Sequence, residues 1–263
     1  MSWSRVTGTR SRRCQNIGVD TRFCPRATNF GRGGRIGCMI VFNTGRAKLA
    51  AGLSSDWRHE MVEVAPTFTF VPTLRGEYAS LESLAREHAA ELGEASKDGE
   101  LWQLWYTTVP RPEEMAGEIE RRLSLQAAGS MLPFTVRCLP SNEIVGMTTF
   151  MNIDAKNRHV EIGSTWYARR VQRSALNTEC KLMLLTHAFE KLDCIAVEFR
   201  THIANRQSRA GIERLGAKLD GILRNHIIMP NGTLRDTCVY SIIASEWPVV
   251  KAHLEWQLSM PRP

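Results

Sequence analysis

Three arginines stand directly before a predicted helix in the stretch STWYARRVQRSALNTECK, residues 164–181. Arg169, Arg170 and Arg173 precede a helix opening in which Ser174 and Ala175 are small or polar. The first turn of a helix presents unpaired backbone N–H groups and about half a positive charge, so this junction suits a phosphate-bearing ligand. A solvated basic loop capped by a serine is the alternative that these residues leave open. Neither a Walker nor a dinucleotide-binding glycine motif occurs in the sequence.

The apolar periodicity on both sides of this junction predicts alternating strands and helices. The predicted strands cover residues 67–74, 132–139, 144–152, 159–167, 195–201, 221–229 and 233–243. The predicted helices cover residues 80–97, with Ser80 as the N-cap, 112–128, 174–191 and 205–215, and a last one begins near residue 245. The spacing of the three strands before the junction is typical of an antiparallel meander. The whole order predicts a layered α/β or α+β fold in a single domain.

The basic charge of the chain is concentrated in a leader. The net charge is +7, yet residues 1–60 alone hold eleven basic and three acidic side chains, so the remainder is nearly neutral. We interpret residues 1–60 as a leader that is disordered or follows an upstream start codon, and residues 61–263 as the folded domain. The leader is also the one segment that could contact nucleic acid nonspecifically.

The seven cysteines show no C-x-x-C spacing, and reduced thiols in a cytoplasmic protein are expected. No structural zinc site, and no metal site of any kind, is predicted. No apolar run approaches the roughly 20 residues that a membrane-spanning helix needs, so no membrane association is expected. The sequence leaves the choice between a monomer and a homodimer open.

The order of elements and the junction together resemble the GNAT superfamily of acyl-CoA-dependent N-acyltransferases. In that family [Q/R]-x-x-G-x-[G/A] follows the fourth strand, and its backbone amides bind the pyrophosphate of coenzyme A. The matching residues here are Arg170-Val-Gln-Arg-Ser-Ala175, with Arg173 in place of the usual glycine. Residues 160–167 and 179–185 are similar to the branch of ribosomal-protein N-terminal acetyltransferases, and residues 204–208 and 212–217 resemble the family's helix after strand five.

The resemblance implies a mixed, mostly antiparallel central sheet flanked by helices, and acetyl-CoA as co-substrate. It implies that Arg170, Val171, Arg173, Ser174 and Ala175 form the pyrophosphate site. The fourth family strand splays from the fifth, so backbone groups of Ile162 and Ser164 would pair with the pantetheine arm. Asn205 would contact the end of that arm, although a plain helix N-cap is equally compatible with this residue.

The implied reaction is direct attack of a primary amine on the thioester, which requires the amine to lose a proton. Glu161 is the candidate general base; an ordinary charged residue or salt-bridge partner on the sheet is the alternative. Ser208 is the nearest hydroxyl that could protonate the departing thiolate, because the tyrosine common in relatives is absent. His202 is a reserve base. A second set of residues would either line the acceptor pocket or fill the core: Trp102, Trp105, Tyr106 and Phe134.

The sequence therefore predicts an acetyl-CoA-dependent N-acetyltransferase with an amine acceptor, either a protein N-terminus or a small molecule. The substitution at Arg173 and the missing tyrosine keep a second hypothesis open. In that alternative, the chain is a non-catalytic acyl-CoA-binding regulator on the same fold.

Overall fold

The computed structural model describes residues 68–260, which form eight strands in one mixed sheet and five α-helices. The strands are β1 (Leu74–Arg75), β2 (Ala79–Ser83), β3 (Met131–Cys138), β4 (Glu143–Asp154), β5 (His159–Tyr167), β6 (Ala196–His202), β7 (Lys218–Ile228) and β8 (Leu234–Ile243). The helices are α1 (Ala89–Lys97), α2 (Met115–Ala127), α3 (Leu176–Glu190), α4 (Arg206–Arg214) and α5 (Trp247–Ser259). The leader and residues 61–67 and 261–263, with the domain boundaries predicted there, lie outside the described residues.

The sheet order is β1-β2-β3-β4-β5-β6-β8-β7, and every neighbouring pair is antiparallel except β5 and β6. The predicted mixed, mostly antiparallel sheet flanked by helices is confirmed. From Pro112 onward, the predicted strands and helices also agree with the structure to within a few residues. These segments are long and strongly periodic, which makes them the easiest to predict.

The prediction was wrong at the start of the domain. Residues 80–83 were expected to open a helix capped by Ser80, but they belong to β2, which pairs with β3 from Ala79 to Ser83. Leu81 and Leu84 fit a helical stripe equally well, and pairing with β3 decides in favour of a strand. The strand predicted over residues 67–74 is reduced to Leu74–Arg75 within the described part.

The helices cover opposite faces of the sheet, as two neighbouring threonines on β4 demonstrate. Thr149 accepts a hydrogen bond from Arg122 of α2 at 2.7 Å, whereas Thr148 accepts one from Lys181 of α3 at 3.4 Å. Because successive side chains of a strand point to opposite faces, α2 and α3 lie on opposite sides of the sheet. A ligand between strands β5 and β6 can therefore be contacted from both faces of the sheet, the α2 side and the α3 side.

Within residues 68–260, no helix is long and apolar enough to cross a membrane. The same residues contain no group of three or more histidine, cysteine, aspartate or glutamate side chains that could hold a metal ion. Four cysteines lie in this range, and all of them are free thiols: Cys138, Cys180, Cys194 and Cys238.

Candidate active site

The central feature of the site is the gap between β5 and β6. The two strands pair in parallel only over three positions, from His159 opposite Ala196 to Glu161 opposite Glu198. From Ile162 onward, β5 continues to Tyr167 without a partner on this side, while β6 pairs with β8. An extended ligand can occupy the gap and use the backbone groups of β5 that a partner strand would otherwise satisfy.

A β-bulge lies in the part of β5 that lines this gap. Gly163 pairs with Thr149 and Trp166 with Met147, so three steps on β5 match two on β4. Ser164 is exposed and has a φ of 47°, the left-handed conformation that such a bulge requires of it. The bulge turns consecutive backbone groups of β5 toward the gap.

Arg122, a buried arginine on α2, contacts the bulge from the α2 face of the sheet. Its Nη2 donates to the Ser164 carbonyl at 3.3 Å, its Nη1 to the Thr149 hydroxyl, and its Nε to Glu118 at 2.7 Å. Arg122 is only 2% exposed, so these partners compensate the cost of burying its charge. The sequence offered no signal for this role, because the partners of Arg122 on β4 and β5 lie far along the chain.

Glu161 lies at the closed end of the gap and is 5% exposed. Its Oε2 accepts a hydrogen bond from Asn152 Nδ2 at 2.7 Å and lies 3.5 Å from Arg200 Nε. Burial raises the pKa of Glu161, although Asn152 and Arg200 oppose this shift. A carboxylate with a raised pKa is suited to accept a proton.

Gly163 leaves the room that this carboxylate occupies. A Cβ at Gly163 would lie 2.8 Å from Glu161 Oε1 and 2.7 Å from the sulfur of Met151. Both contacts are closer than real Cβ atoms show, so a side chain here would displace the glutamate. The glycine in this strand therefore serves both the bulge beside it and the position of Glu161.

The basic junction forms one wall of a cleft of about 620 Å³. It joins β5 to α3 through a short 3₁₀ turn, Arg169–Val171. The cleft is lined by Tyr78, Cys138, Pro140, Arg170, Val171, Arg173, Ser174, Ala175, Leu176, Leu258, Ser259 and Met260. All five residues predicted for the pyrophosphate site thus share this cleft.

The backbone of the junction turns sharply at Arg173. Arg173 has a φ of 63°, so the arginine adopts the left-handed conformation for which glycine is usually chosen. Its exposed side chain lines the cleft. The N–H groups of Ser174 and Ala175 donate to no acceptor within residues 68–260, whereas the Ser174 hydroxyl donates to the Val171 carbonyl at 2.7 Å.

Arg170 pairs with two carboxylates in addition to lining the cleft. Its guanidinium lies 3.2 Å from Asp98, after α1, and 3.2 Å from Glu143 of β4, and its backbone N–H also donates to Asp98. These carboxylates fasten the junction to two distant elements. This structural role is added to the contact with phosphate, which stays a prediction for Arg170 as for the other cleft residues.

Glu179 is a second residue with a structural role, which its place in the motif of residues 179–185 did not reveal. Its carboxylate accepts hydrogen bonds from the backbone N–H groups of Glu77, Tyr78 and Ala79 at 2.7 to 2.8 Å. A Cβ on Gly76 would lie 2.2 Å from the Glu179 carboxyl carbon, so only glycine fits at that point. The contact ties the β1–β2 turn, and with it the cleft residue Tyr78, to α3.

Asn205 and Ser208 lie beyond the end of β6, at the first turn of α4. Asn205 is the N-cap, and its Oδ1 accepts a hydrogen bond from the Ser208 N–H at 3.0 Å. The N-cap interpretation is thereby confirmed. The Nδ2 group of Asn205 donates to no acceptor within the described residues.

The four aromatic residues weighed for the acceptor pocket separate into two groups. Phe134 is fully buried and packs edge-on against Phe150, so it belongs to the core. Trp102 is half-buried in the connector between α1 and α2. Trp105, in the same connector, is 51% exposed and packs edge-on against His202, with a ring-centroid distance of 5.1 Å, and against the half-buried Tyr106 at 5.6 Å.

Comparison with known proteins agrees with this architecture. Residues 80–218, more than half of the chain, match the acetyltransferase (GNAT) domain family. The chain belongs to the GNAT acetyltransferase family. A GCN5-related N-acetyltransferase from Brucella melitensis is 28% identical, with a TM-score of 0.66 over 72% of this chain and 86% of its own.

Two further relatives are connected by name with ribosomal acetylation or coenzyme A. The Bacillus subtilis protein named "Putative ribosomal N-acetyltransferase YdaF" is 33% identical over 109 residues, 41% of this chain. The match spans 58% of that relative's length. RimJ of Mycobacterium smegmatis, solved in complex with CoA-disulfide, is 20% identical and has a TM-score of 0.62 over 72% of this chain and 96% of its own, which shows a shared fold.

Proposed function

We propose that this GNAT protein transfers the acetyl group of acetyl-CoA to a primary amine, with a protein N-terminus as the favoured acceptor. The observation that carries the proposal is that the gap between β5 and β6 is continuous with the cleft at the start of α3. The β5–β6 gap begins at Glu161, and β5 runs from there directly into the cleft at the start of α3. This path offers extended backbone for a pantetheine arm and backbone amides for its pyrophosphate.

The pyrophosphate fits the junction for three physical reasons. The N–H groups of Ser174 and Ala175 have no partner in residues 68–260, and they lie at the positive end of the α3 dipole. The left-handed backbone of Arg173 presents these groups to the cleft. The guanidinium of Arg173, at the rim, can form charge-assisted hydrogen bonds with phosphate oxygens.

The pantetheine arm would lie along β5 from Tyr167 back toward Glu161. The bulge at Ser164 provides backbone N–H groups that can polarise the thioester carbonyl, and Arg122 keeps this bulge in place. The Asn205 side-chain amide, at the start of α4, would donate to a carbonyl of the arm from the other side of the gap.

The chemical step requires a neutral amine. Glu161, directly or through a water molecule, takes a proton from the ammonium group, after which the amine nitrogen bonds to the thioester carbon and the carbon–sulfur bond breaks. The nitrogen then gives up its second proton, and this proton reaches the departing thiolate through solvent or through the Ser208 hydroxyl. No covalent enzyme intermediate is needed, so no cysteine or serine nucleophile is assigned.

The name of the Bacillus subtilis relative supports a protein N-terminus as the acceptor. Small-molecule amines are the competing acceptor class, because a shared fold does not determine the substrate. The assay is thiol release from acetyl-CoA with a panel of peptides and small amines. We expect turnover with at least one acceptor; binding of acetyl-CoA without turnover across the whole panel would instead support the non-catalytic regulator.

A further inference from the structure

The imidazole of His202, at the last position of β6, has one nitrogen that the fold leaves unsatisfied. The side chain is 5% exposed, and its Nδ1 accepts a hydrogen bond from the Ala204 N–H at 3.0 Å. In the neutral ring the proton must therefore sit on Nε2, which makes Nε2 a donor. Nε2 is buried and has no partner within residues 68–260.

His202 lies on the same face of the sheet as Glu161. Side chains alternate along β6, so Glu198, Arg200 and His202 share one face, and Arg200 lies 3.5 Å from the Glu161 carboxylate. Trp105 of the α1–α2 connector covers His202 on this face. The face is the one that α2 covers, opposite the face on which α3 packs.

Two more buried polar groups without partners in residues 68–260 lie on β5 and in the α1–α2 connector. The indole N–H of Trp166 lies on β5, which pairs Trp166 with Met147, two residues before Thr149 and thus on the α2 face. The hydroxyl of Thr107 lies two residues after Trp105. Leaving a buried donor unsatisfied is unfavourable, so such groups call for an acceptor that arrives with a ligand.

We propose that His202 is a recognition residue for the amine substrate, donating from Nε2 to a carbonyl oxygen of that substrate. This inference rests on the proposed function, in which Glu161 deprotonates the attacking amine. Glu161 pairs with Glu198, and His202 lies four residues farther along β6, about 13 Å at the rise of a strand. The recognised carbonyl therefore lies several bonds from the amine, as in an extended peptide and not in a simple alkylamine.

The structure offers a matched pair of variants for testing this role. In His202→Asn, the side-chain oxygen can still accept from the Ala204 N–H, but no donor reaches the Nε2 position. In His202→Gln, the longer side chain can place its amide nitrogen close to that position. Asn thus removes the proposed contact while keeping the local turn, and Gln restores the contact.

The experiment compares the KM of an alanine-starting tetrapeptide with that of butylamine for each variant, using acetyl-CoA in excess. We expect His202→Asn to raise the peptide KM about tenfold, the effect of one lost hydrogen bond, and to leave the KM values for butylamine and acetyl-CoA unchanged. His202→Gln should recover most of the loss. Trp105→Leu, at a half-exposed position, should raise the peptide KM without loss of thermal stability.

An unchanged peptide KM in His202→Asn would overturn this inference while leaving the proposed function intact. The same rise for peptide and butylamine would also overturn it, because the imidazole would then act on the thioester or on the fold. A wild-type protein that acetylates neither acceptor would overturn both proposals.

Discussion

The ammonium nitrogen of Lys181 lies 3.0 Å from the hydroxyl oxygen of Thr165, in the part of β5 that has left β6. No carboxylate of the described chain lies within ion-pair distance of this lysine, which is only 6% exposed. Burial lowers the pKa of Lys181 to about 8. Lys181, whose charged form is disfavoured by burial, therefore lies beneath the part of β5 that borders the gap between β5 and β6.

Replacement of Lys181 by methionine should stabilise the protein at neutral pH. The free-energy cost of burying the Lys181 ammonium group disappears, and the hydroxyl groups of Thr148 and Thr165 still form a hydrogen bond of 2.8 Å with each other. At 1.36 kcal/mol per pKa unit, the gain in unfolding free energy is roughly 2–3 kcal/mol. Because the unfolded chain binds more protons between pH 8 and the ordinary lysine pKa, wild-type stability rises with pH over that window. The gain should therefore shrink there, as denaturant titrations at several pH values can show; a gain that is constant from pH 7 to 10 would contradict a depressed pKa.

Glu161→Gln should lower kcat by roughly 10²- to 10⁴-fold, the usual contribution of a general base. In the wild type, kcat/KM should rise with pH through the raised pKa of Glu161, and this limb should vanish in the variant. The control is Glu198→Gln, which removes the neighbouring carboxylate. Since the charge of Glu198 raises the pKa of Glu161, this control should shift the limb to lower pH and keep the activity. A Glu161→Gln variant whose pH profile of kcat/KM matches the wild type would show that Glu161 is not the general base.

Arg173 can be tested by two substitutions that differ only in backbone strain. Alanine and glycine both remove the guanidinium, but only glycine adopts a φ of 63° without cost. Arg173→Gly should be more stable than Arg173→Ala by about 1 kcal/mol in thermal or denaturant unfolding. If the guanidinium pairs with phosphate, both variants should bind coenzyme A more weakly to a similar degree. If both variants bind coenzyme A as tightly as the wild type, only the backbone N–H groups bind phosphate at this position.

The sequence was most informative where a signal is local. The strands and helices after Pro112 could be predicted because their apolar periodicity runs over many residues. The Asn205 cap could be predicted because capping depends on a few consecutive residues. The cleft residues of the junction could be located because the arginines and the helix opening are adjacent in the chain, whereas their role as an anion site stays a prediction.

The residues that hold the site together could not be found in this way. Glu179 binds a turn about 100 residues earlier, and Arg122 holds a bulge on β5 about 40 residues later. Nothing in the sequence shows that Asp98 and Glu143 meet Arg170. In each case a carboxylate or guanidinium finds its partner through the tertiary fold, which propensity and spacing do not encode.

The most direct test of the site is the affinity for coenzyme A when one backbone N–H is deleted from the junction. Ala175 has a φ of −65°, the value that proline fixes, so Ala175→Pro can remove the N–H and still start α3. Ala175→Ser keeps the N–H and is the matched control. We expect calorimetric titration with coenzyme A to show binding at least tenfold weaker for the proline variant, since a charge-assisted hydrogen bond contributes roughly 1.5–3 kcal/mol, and near-wild-type binding for the serine variant. Equal affinity in the two variants, with both folded, would contradict a pyrophosphate site at the start of α3.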